Sequence, residues 1–227
     1  MAGTMITVQG HHSAWYPAER ATVTVSVRFD GPDRERAFAS ATAAADAVRE
    51  TIVGRHDATT GPITWWAADS IRVWSQRPWN DQGVQLEPVH YAALDLTAKF
   101  KDFDSLSAWI ESVVEIPGAN VASIEWTLTD GKITTVNAEV RSRAVKDAVA
   151  KATVYAQSIG LGSVTATAIA DPGMLGDAGG LSDGGIGGMP RSVAMKSSFD
   201  ADASAALALK PEQIEVSASV DARFVAE

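Results

Sequence analysis

The sequence predicts an α+β fold, in which a twisted and largely antiparallel sheet carries helices packed on one face. Two segments, 21–30 and 214–224, alternate apolar and polar residues, as strands with one buried face do. Helical periodicity marks three further segments among about seven strands, a mixture typical of helices covering an antiparallel sheet. Because neighbouring strands joined by short loops pair antiparallel, most of the sheet should do so.

The first half of the chain is predicted to place one helix among its strands. A short strand at 5–9 is followed by a polar connection at 11–20, which leads into the alternating strand. The helix is predicted over 34–53, after a turn at 30–33, and Gly54 ends it. Its buried face consists of apolar residues at helical spacing: Phe38, Ala41, Ala45, Val48 and Ile52.

The second half repeats this arrangement with a short helix, a strand, a long helix and two final strands. Asp104 is predicted to cap the short helix, and strands are expected at 121–129 and 164–170. The long helix, 138–158, ends at Gly160. Because small side chains let a helix approach a sheet closely, the sheet-facing stripe is expected at three alanines spaced four apart, Ala144, Ala148 and Ala152.

Composition excludes several classes of protein. The chain has 227 residues, no cysteine and a formal net charge of −9. Without cysteine it forms neither disulfides nor thiolate metal sites. An acidic surface repels nucleic acids and anionic membranes, so neither partner is expected. No apolar run reaches the roughly 20 residues of a membrane span. The first residues show no basic or apolar leader, which favours a cytoplasmic location.

No catalytic residue, cofactor or metal ligand is predicted. His11 and His12 are adjacent, so their side chains point in opposite directions on extended backbone, and His56 and His90 add no ligand spacing. No nucleophile elbow is present. The glycines at 179–188 lack the preceding strand, the following helix and the nearby lysine of a phosphate loop. The sequence therefore favours a non-enzymatic role.

One segment differs in character from the rest of the chain. Residues 171–191 contain eight glycines and few large side chains. Ordering such a backbone carries a high entropy cost. A flexible glycine-rich excursion is therefore predicted at about 171–209, between the last two strands.

Several segments together resemble the SIMPL domain family. The opening strands and their successors carry the resemblance, in this order: ITVQG at 6–10 with Pro17, ATVTVSV at 21–27, YAALDL at 91–96, FDSL at 103–106, GANVASIEW at 118–126, YAQSIGLG at 155–162 and PEQIEV at 211–216. The resemblance implies an α+β fold in a single domain over residues 1–227, and self-assembly. It implies no catalytic residues. Many members of the family are exported, whereas this chain shows no signal, and the glycine-rich excursion is particular to this chain.

Four tryptophans form the candidate functional site, on two long strands at 63–75 and 94–100 joined by a hairpin loop at 78–83: Trp65, Trp66, Trp74 and Trp79. Trp65 and Trp66 must face opposite sides of a strand, so only one enters the core. The other could be covered by the chain itself, lie in a protein–protein interface, or line a ligand groove. The sequence predicts a homo-oligomer with this interface. The competing prediction is a small-molecule or lipid binder with an apolar groove near the hairpin.

Overall fold

The computed structural model describes residues 3–175 and 209–227. They form eight strands and three helices, in the order β1 (Thr4–Pro17), β2 (Arg20–Gly31), α1 (Arg34–Val53), β3 (Ile63–Ala68), β4 (Arg72–Gln76), β5 (Val89–Phe100), α2 (Phe103–Val114), β6 (Ala119–Thr127), α3 (Asp130–Ser158), β7 (Val164–Ala170) and β8 (Gln213–Ala226). Most of the predicted glycine-rich excursion, residues 176–208, lies outside the described residues.

The α+β class and the antiparallel pairing are confirmed, and the strands divide into two sheets. Strand order is β3-β5-β2-β6 in the larger sheet, where β4 also pairs with β5, and β1-β8-β7 in the smaller one. Strands β3, β4 and β2 all run antiparallel to β5. The predicted continuous strand at 63–75 is wrong, because residues 69–71 belong to no strand and separate β3 from β4.

The described residues group into two compact units. The first comprises residues 3–16, 130–175 and 215–227, and the second comprises 17–129 and 209–214. Each unit has its own cluster of buried apolar side chains. In the second unit the cluster includes residues of the larger sheet, and in the first unit it includes residues of the smaller sheet. The expectation of a single domain stays a prediction.

In the first unit, α3 packs its alanine face against the small sheet as predicted. Ala144, Ala148 and Ala152 are fully buried, in one cluster with Val220 and Phe224. A β-carbon added to Gly10 on β1 would clash with the Ala144 carbonyl and lie 2.8 Å from the Ala148 Cβ. Only a strand without a side chain at that point fits beside the helix, so helix and sheet are in direct backbone contact.

Side chains of α3 also cover the outer edge of β1. The Asp147 carboxylate accepts a hydrogen bond from the His11 backbone N–H at 2.8 Å, and Lys151 Nζ donates to the Gln9 carbonyl at 3.0 Å. The two side chains form an ion pair of 2.7 Å. The Lys151 hydrogen bond, followed by that from His11, lowers the pKa of Asp147. Edge backbone groups that would otherwise invite another strand are thereby satisfied within the unit.

The second unit is built around β2, β5, α1 and α2. Val23, Val25 and Val27 alternate on β2 and are fully buried. The Asp33 side chain caps α1 by accepting from the Arg36 N–H. The first and last residues of segment 17–129 lie side by side. The Glu19 N–H donates to the Thr127 carbonyl at 2.9 Å, and the Glu19 carboxylate accepts from the backbone N–H of Thr129 at 3.1 Å.

A turn at Asp57 orders the connection from α1 to β3. Its carboxylate accepts from the backbone N–H groups of Thr59 and Thr60, both at 2.8 Å. These hydrogen bonds, Thr60 first, lower the pKa of Asp57 from 3.8 to about 2. Because hydrogen bonding to the charged form favours ionisation, protonation releases the turn.

We expect stability to fall in the window set by this shift. The folded pKa is lower than the unfolded one, so the contribution of Asp57 is complete above pH 4 and is lost as pH falls towards about 2. Carbon-detected NMR titration should give an Asp57 pKa near 2. Asp57→Asn removes the titrating carboxyl group, so this variant should lose less stability than the parent as the pH falls from 4 to about 2. A measured Asp57 pKa of 3.8, its ordinary value, would contradict the hydrogen-bonded turn.

Candidate functional site

The adjacent tryptophans of β3 face opposite sides of the sheet, as predicted. Trp66 lies opposite Ala98 and packs against the core of the second unit. Trp65 lies opposite Lys99 on the other face, where it is 49% exposed and has the Lys99 ammonium 5.9 Å from its ring centroid. One member of the pair is therefore a packing residue, and the other is available at the surface.

Trp74 on β4 already has partners within the chain. Its ring stacks on Tyr91 of β5, with centroids 5.3 Å apart and planes inclined by 14°. The Arg28 guanidinium lies 5.1 Å from the Tyr91 ring centroid and 5.9 Å from that of Trp74. This arrangement of a cation over two stacked rings fixes all three side chains on one face of the sheet.

The four tryptophans do not form one cluster, contrary to the sequence-based expectation. On β5, Trp65 is registered with Lys99 and Trp74 with Tyr91. Eight residues of extended strand separate these positions, which corresponds to about 26 Å. The break between β3 and β4 allows the strands to pair with different stretches of β5, a displacement that residue spacing alone does not reveal.

Trp79 lies in the loop between β4 and β5, which exposes three large apolar side chains. Trp79 is 67% exposed, Val84 55% and Leu86 44%. The sequence analysis named Trp79 as a candidate interface residue but missed Val84 and Leu86. Isolated apolar residues in a loop have no periodicity, so only their clustering around Trp79 could have marked them.

Internal hydrogen bonds give this loop a defined shape. The Asn80 side chain accepts from the backbone N–H groups of Gln82 at 3.0 Å and Val84 at 2.8 Å. The Leu86 N–H donates to the Pro78 carbonyl at 2.8 Å, and Asn80 and Val84 are joined through their backbones. Gly83 has φ of 72°, a conformation that glycine adopts without strain. The apolar side chains are thus presented by an ordered turn.

A groove runs along α1 beside the tryptophan-bearing strands. One cleft, of about 280 Å³, has Phe38, Thr42, Ala45, Asp46 and Arg49 on the helix side and Ala68, Asp69, Ile71, Leu94 and Leu96 opposite. A second, of about 560 Å³, is lined by Arg49, Glu50, Val53, Gly54 and Trp66. Arg49 lines both clefts, so they follow one another along α1, and together they are called the groove. Phe38, predicted to be buried, is 44% exposed at the groove mouth.

Two of the four histidines, His11 and His90, have a serine hydroxyl within hydrogen-bonding distance of the ring. His11 Nδ1 lies 3.0 Å from the Ser219 hydroxyl, and His90 Nδ1 lies 2.6 Å from that of Ser75. Within residues 3–175 and 209–227, no three His, Cys, Asp or Glu side chains come together as a metal site. In the same residues, no polar or charged residue is buried. No helix among them is long and apolar enough to cross a membrane.

A protein-family model matches the chain. The model of the SIMPL family, described as a protein of unknown function (DUF541), matches residues 6–224, which is nearly the whole chain. No curated protein matches the chain.

Proposed function

We propose that this chain, which belongs to the SIMPL family, is a non-enzymatic protein that self-associates through the loop between β4 and β5. The observation that carries the proposal is the exposure of Trp79, Val84 and Leu86 on that one loop. Large apolar side chains gathered at a surface are typical of protein–protein contacts, in which tryptophan is a frequent anchor. A second copy would remove them from water.

The order of the loop supports this role. Binding costs free energy whenever it immobilises a flexible segment. The hydrogen bonds of Asn80 and the Leu86–Pro78 backbone bond hold the turn before any partner arrives. The apolar side chains are therefore presented at a smaller entropic cost than in a flexible loop.

Electrostatics supports a non-catalytic surface. Catalytic groups typically lie in clefts that shift their pKa values strongly. Here the pKa is raised at half-buried Tyr16, mainly by partial burial, and lowered at exposed Asp57 and half-buried Asp147 by hydrogen bonds to neighbouring groups. Two copies of the chain repel each other because each carries a net charge of −9. Self-association should therefore strengthen as salt screens this repulsion.

A cytoplasmic location is part of the proposal and is tested by cell fractionation.

The test is the mass in solution of the parent and of Trp79→Ala, measured by light scattering over a range of concentrations. The parent should form a complex larger than one chain. Trp79→Ala should weaken it by about 1–4 kcal/mol, because it removes the apolar anchor. The thermal melt of the dissociated variant should overlay that of the dissociated parent.

Trp15 provides a matched control, since it is 60% exposed but lies on β1 in the other unit. Trp15→Ala removes the same side chain and should leave the mass unchanged. A parent that stays monomeric at high concentration would refute self-association. A parent that assembles while Trp79→Ala assembles equally well would place the interface elsewhere.

The second candidate function is binding of a small molecule or lipid, favoured by the groove along α1. Its lining is largely apolar, with Ala45, Ile71 and Leu94 near the core. However, Phe38 and Val53 at its two ends are 44% and 54% exposed. Pockets for small ligands usually enclose most of the ligand surface, whereas this groove is long and exposed at both ends. Self-association is therefore the better supported of the two functions.

A further inference from the structure

The groove along α1 lies beside a free strand edge. β3 is the terminal strand of the larger sheet. At its first residue it is covered: the Asp57 N–H donates to the Ile63 carbonyl, and the Ile63 N–H donates to the Arg55 carbonyl. From Trp65 to Ala68, no strand of the described residues pairs with its outer side. The backbone groups there are free to pair with another extended chain.

The groove has the length of a short strand. Its helix side extends from Phe38 to Val53, through residues spaced three or four apart on one face of α1. This spacing corresponds to about 22 Å along the helix axis. An extended chain of about seven residues has the same length. The groove therefore matches a linear peptide better than a compact ligand.

The charges along the groove favour a basic occupant. Asp46 and Arg49 are paired with each other at 3.0 Å. Glu50 in one cleft and Asp69 in the other add two further carboxylates. In the described part of the chain neither carboxylate forms an ion pair. A lysine or arginine on the occupant would supply the missing positive charge, and its aliphatic stem would pack on the apolar lining.

We infer that this groove binds an extended peptide of another protein, which adds a strand to the free edge of β3. Main-chain hydrogen bonds to residues 65–68 provide the affinity. Alternate apolar side chains of the peptide enter the groove against Ile71 and Trp66, and at least one basic side chain faces Glu50 or Asp69. A helix flanking a free sheet edge supports this mode of peptide binding, because the helix provides the side-chain contacts. The surface is distinct from the β4–β5 loop.

The test is selection from a random heptapeptide library against the full chain, with Thr42→Trp as the counter-target. Thr42 is exposed and lines the groove, so a tryptophan there blocks it without changing the charge. We expect enriched peptides that alternate apolar residues and contain lysine or arginine. Calorimetry with the synthesised peptides should show at least about tenfold weaker binding to Thr42→Trp. Ala43→Trp, at an exposed position on the same helix, should bind as the parent does.

Two further comparisons separate backbone pairing from charge. N-methylation of alternate peptide nitrogens should weaken binding about tenfold or more in one of the two registers, since it removes main-chain donors. Glu50→Lys combined with Asp69→Lys should weaken it similarly, whereas Glu35→Lys at the start of α1 should not. The solution mass of Thr42→Trp should equal that of the parent, so this test is independent of self-association.

Three outcomes would overturn the inference. The first is a library with no peptide enriched over Thr42→Trp. The second is binding that survives N-methylation in both registers, because the strand edge would then have no role. The third is binding of oleate that Thr42→Trp blocks while no peptide is enriched, which would assign the groove to a lipid.

Discussion

Ala148→Glu should lower the free energy of unfolding by about 3 kcal/mol or more, because it forces an unpaired charge into the contact between α3 and the small sheet. Ala148 is fully buried, and the sheet opposite it has only the hydrogen atoms of Gly10 at the point of closest approach. A longer side chain has no free volume to enter. Ala148→Leu, which adds volume without charge, should cost about 1–3 kcal/mol.

Urea unfolding of the parent and both variants gives these differences. Val149→Glu is the matched control, because Val149 is the next residue of the same helix and is 40% exposed. It should change stability by less than about 0.5 kcal/mol. If Ala148→Glu unfolds at the same urea concentration as Val149→Glu, then the alanine face of α3 does not form the contact described.

Trp109→Ala should have an effect of similar size on the second unit, about 3–5 kcal/mol. Trp109 is fully buried on α2, with its ring centroid 5.0 Å from that of Phe100. Its indole N–H donates to the Thr51 hydroxyl on α1 at 2.9 Å. Truncation leaves a cavity between these elements and removes the hydrogen bond.

Trp109→Phe separates the two contributions, since it retains a ring and removes the N–H. It should cost distinctly less than Trp109→Ala, about 1–3 kcal/mol. Thermal and urea unfolding of both variants gives the comparison. Equal losses for the two variants would mean that the cavity contributes little and would contradict the packing of Trp109 on Phe100.

Together, the variants of the two units also test the single-domain prediction. Ala148 belongs to one compact unit and Trp109 to the other. If the chain unfolds as one cooperative domain, each substitution should shift the same calorimetric transition. If the units unfold separately, each substitution should move one transition and leave the other in place.

Local signals explain which elements the sequence predicted well. The bounds of α1 are those predicted, because its two ends depend on neighbouring residues, the Asp33 cap and Gly54. In contrast, β1 extends to Pro17, well beyond the predicted 5–9, because its sheet partner β8 lies about 200 residues away in the sequence. α3 begins at Asp130 instead of 138, and the hydroxyls of Thr134 and Thr135 bond back to helix carbonyls. Threonine has low helix propensity, which hid this first part.

The candidate sites follow the same division. The opposite orientation of Trp65 and Trp66 comes from strand geometry, which residue order determines. The exposure of Trp79 follows from its position in a proline- and glycine-containing loop. The groove could not be predicted from the sequence. Its existence depends on the distance between α1 and β3, and residue spacing along the chain does not determine that distance.

The hydrogen bond between Glu19 and Thr127, which joins the two ends of segment 17–129, has a consequence for protein engineering. Residues 17–129 enter and leave their unit side by side, as adjacent ends of the antiparallel strands β2 and β6. A segment whose ends lie together can be excised, or transplanted into a surface loop of an unrelated scaffold, without stretching the recipient backbone. Such a transplant would carry the α1 groove and the Trp79 loop while losing the contact of Leu209 with the core. The two proposed binding surfaces are therefore portable as one continuous piece of chain.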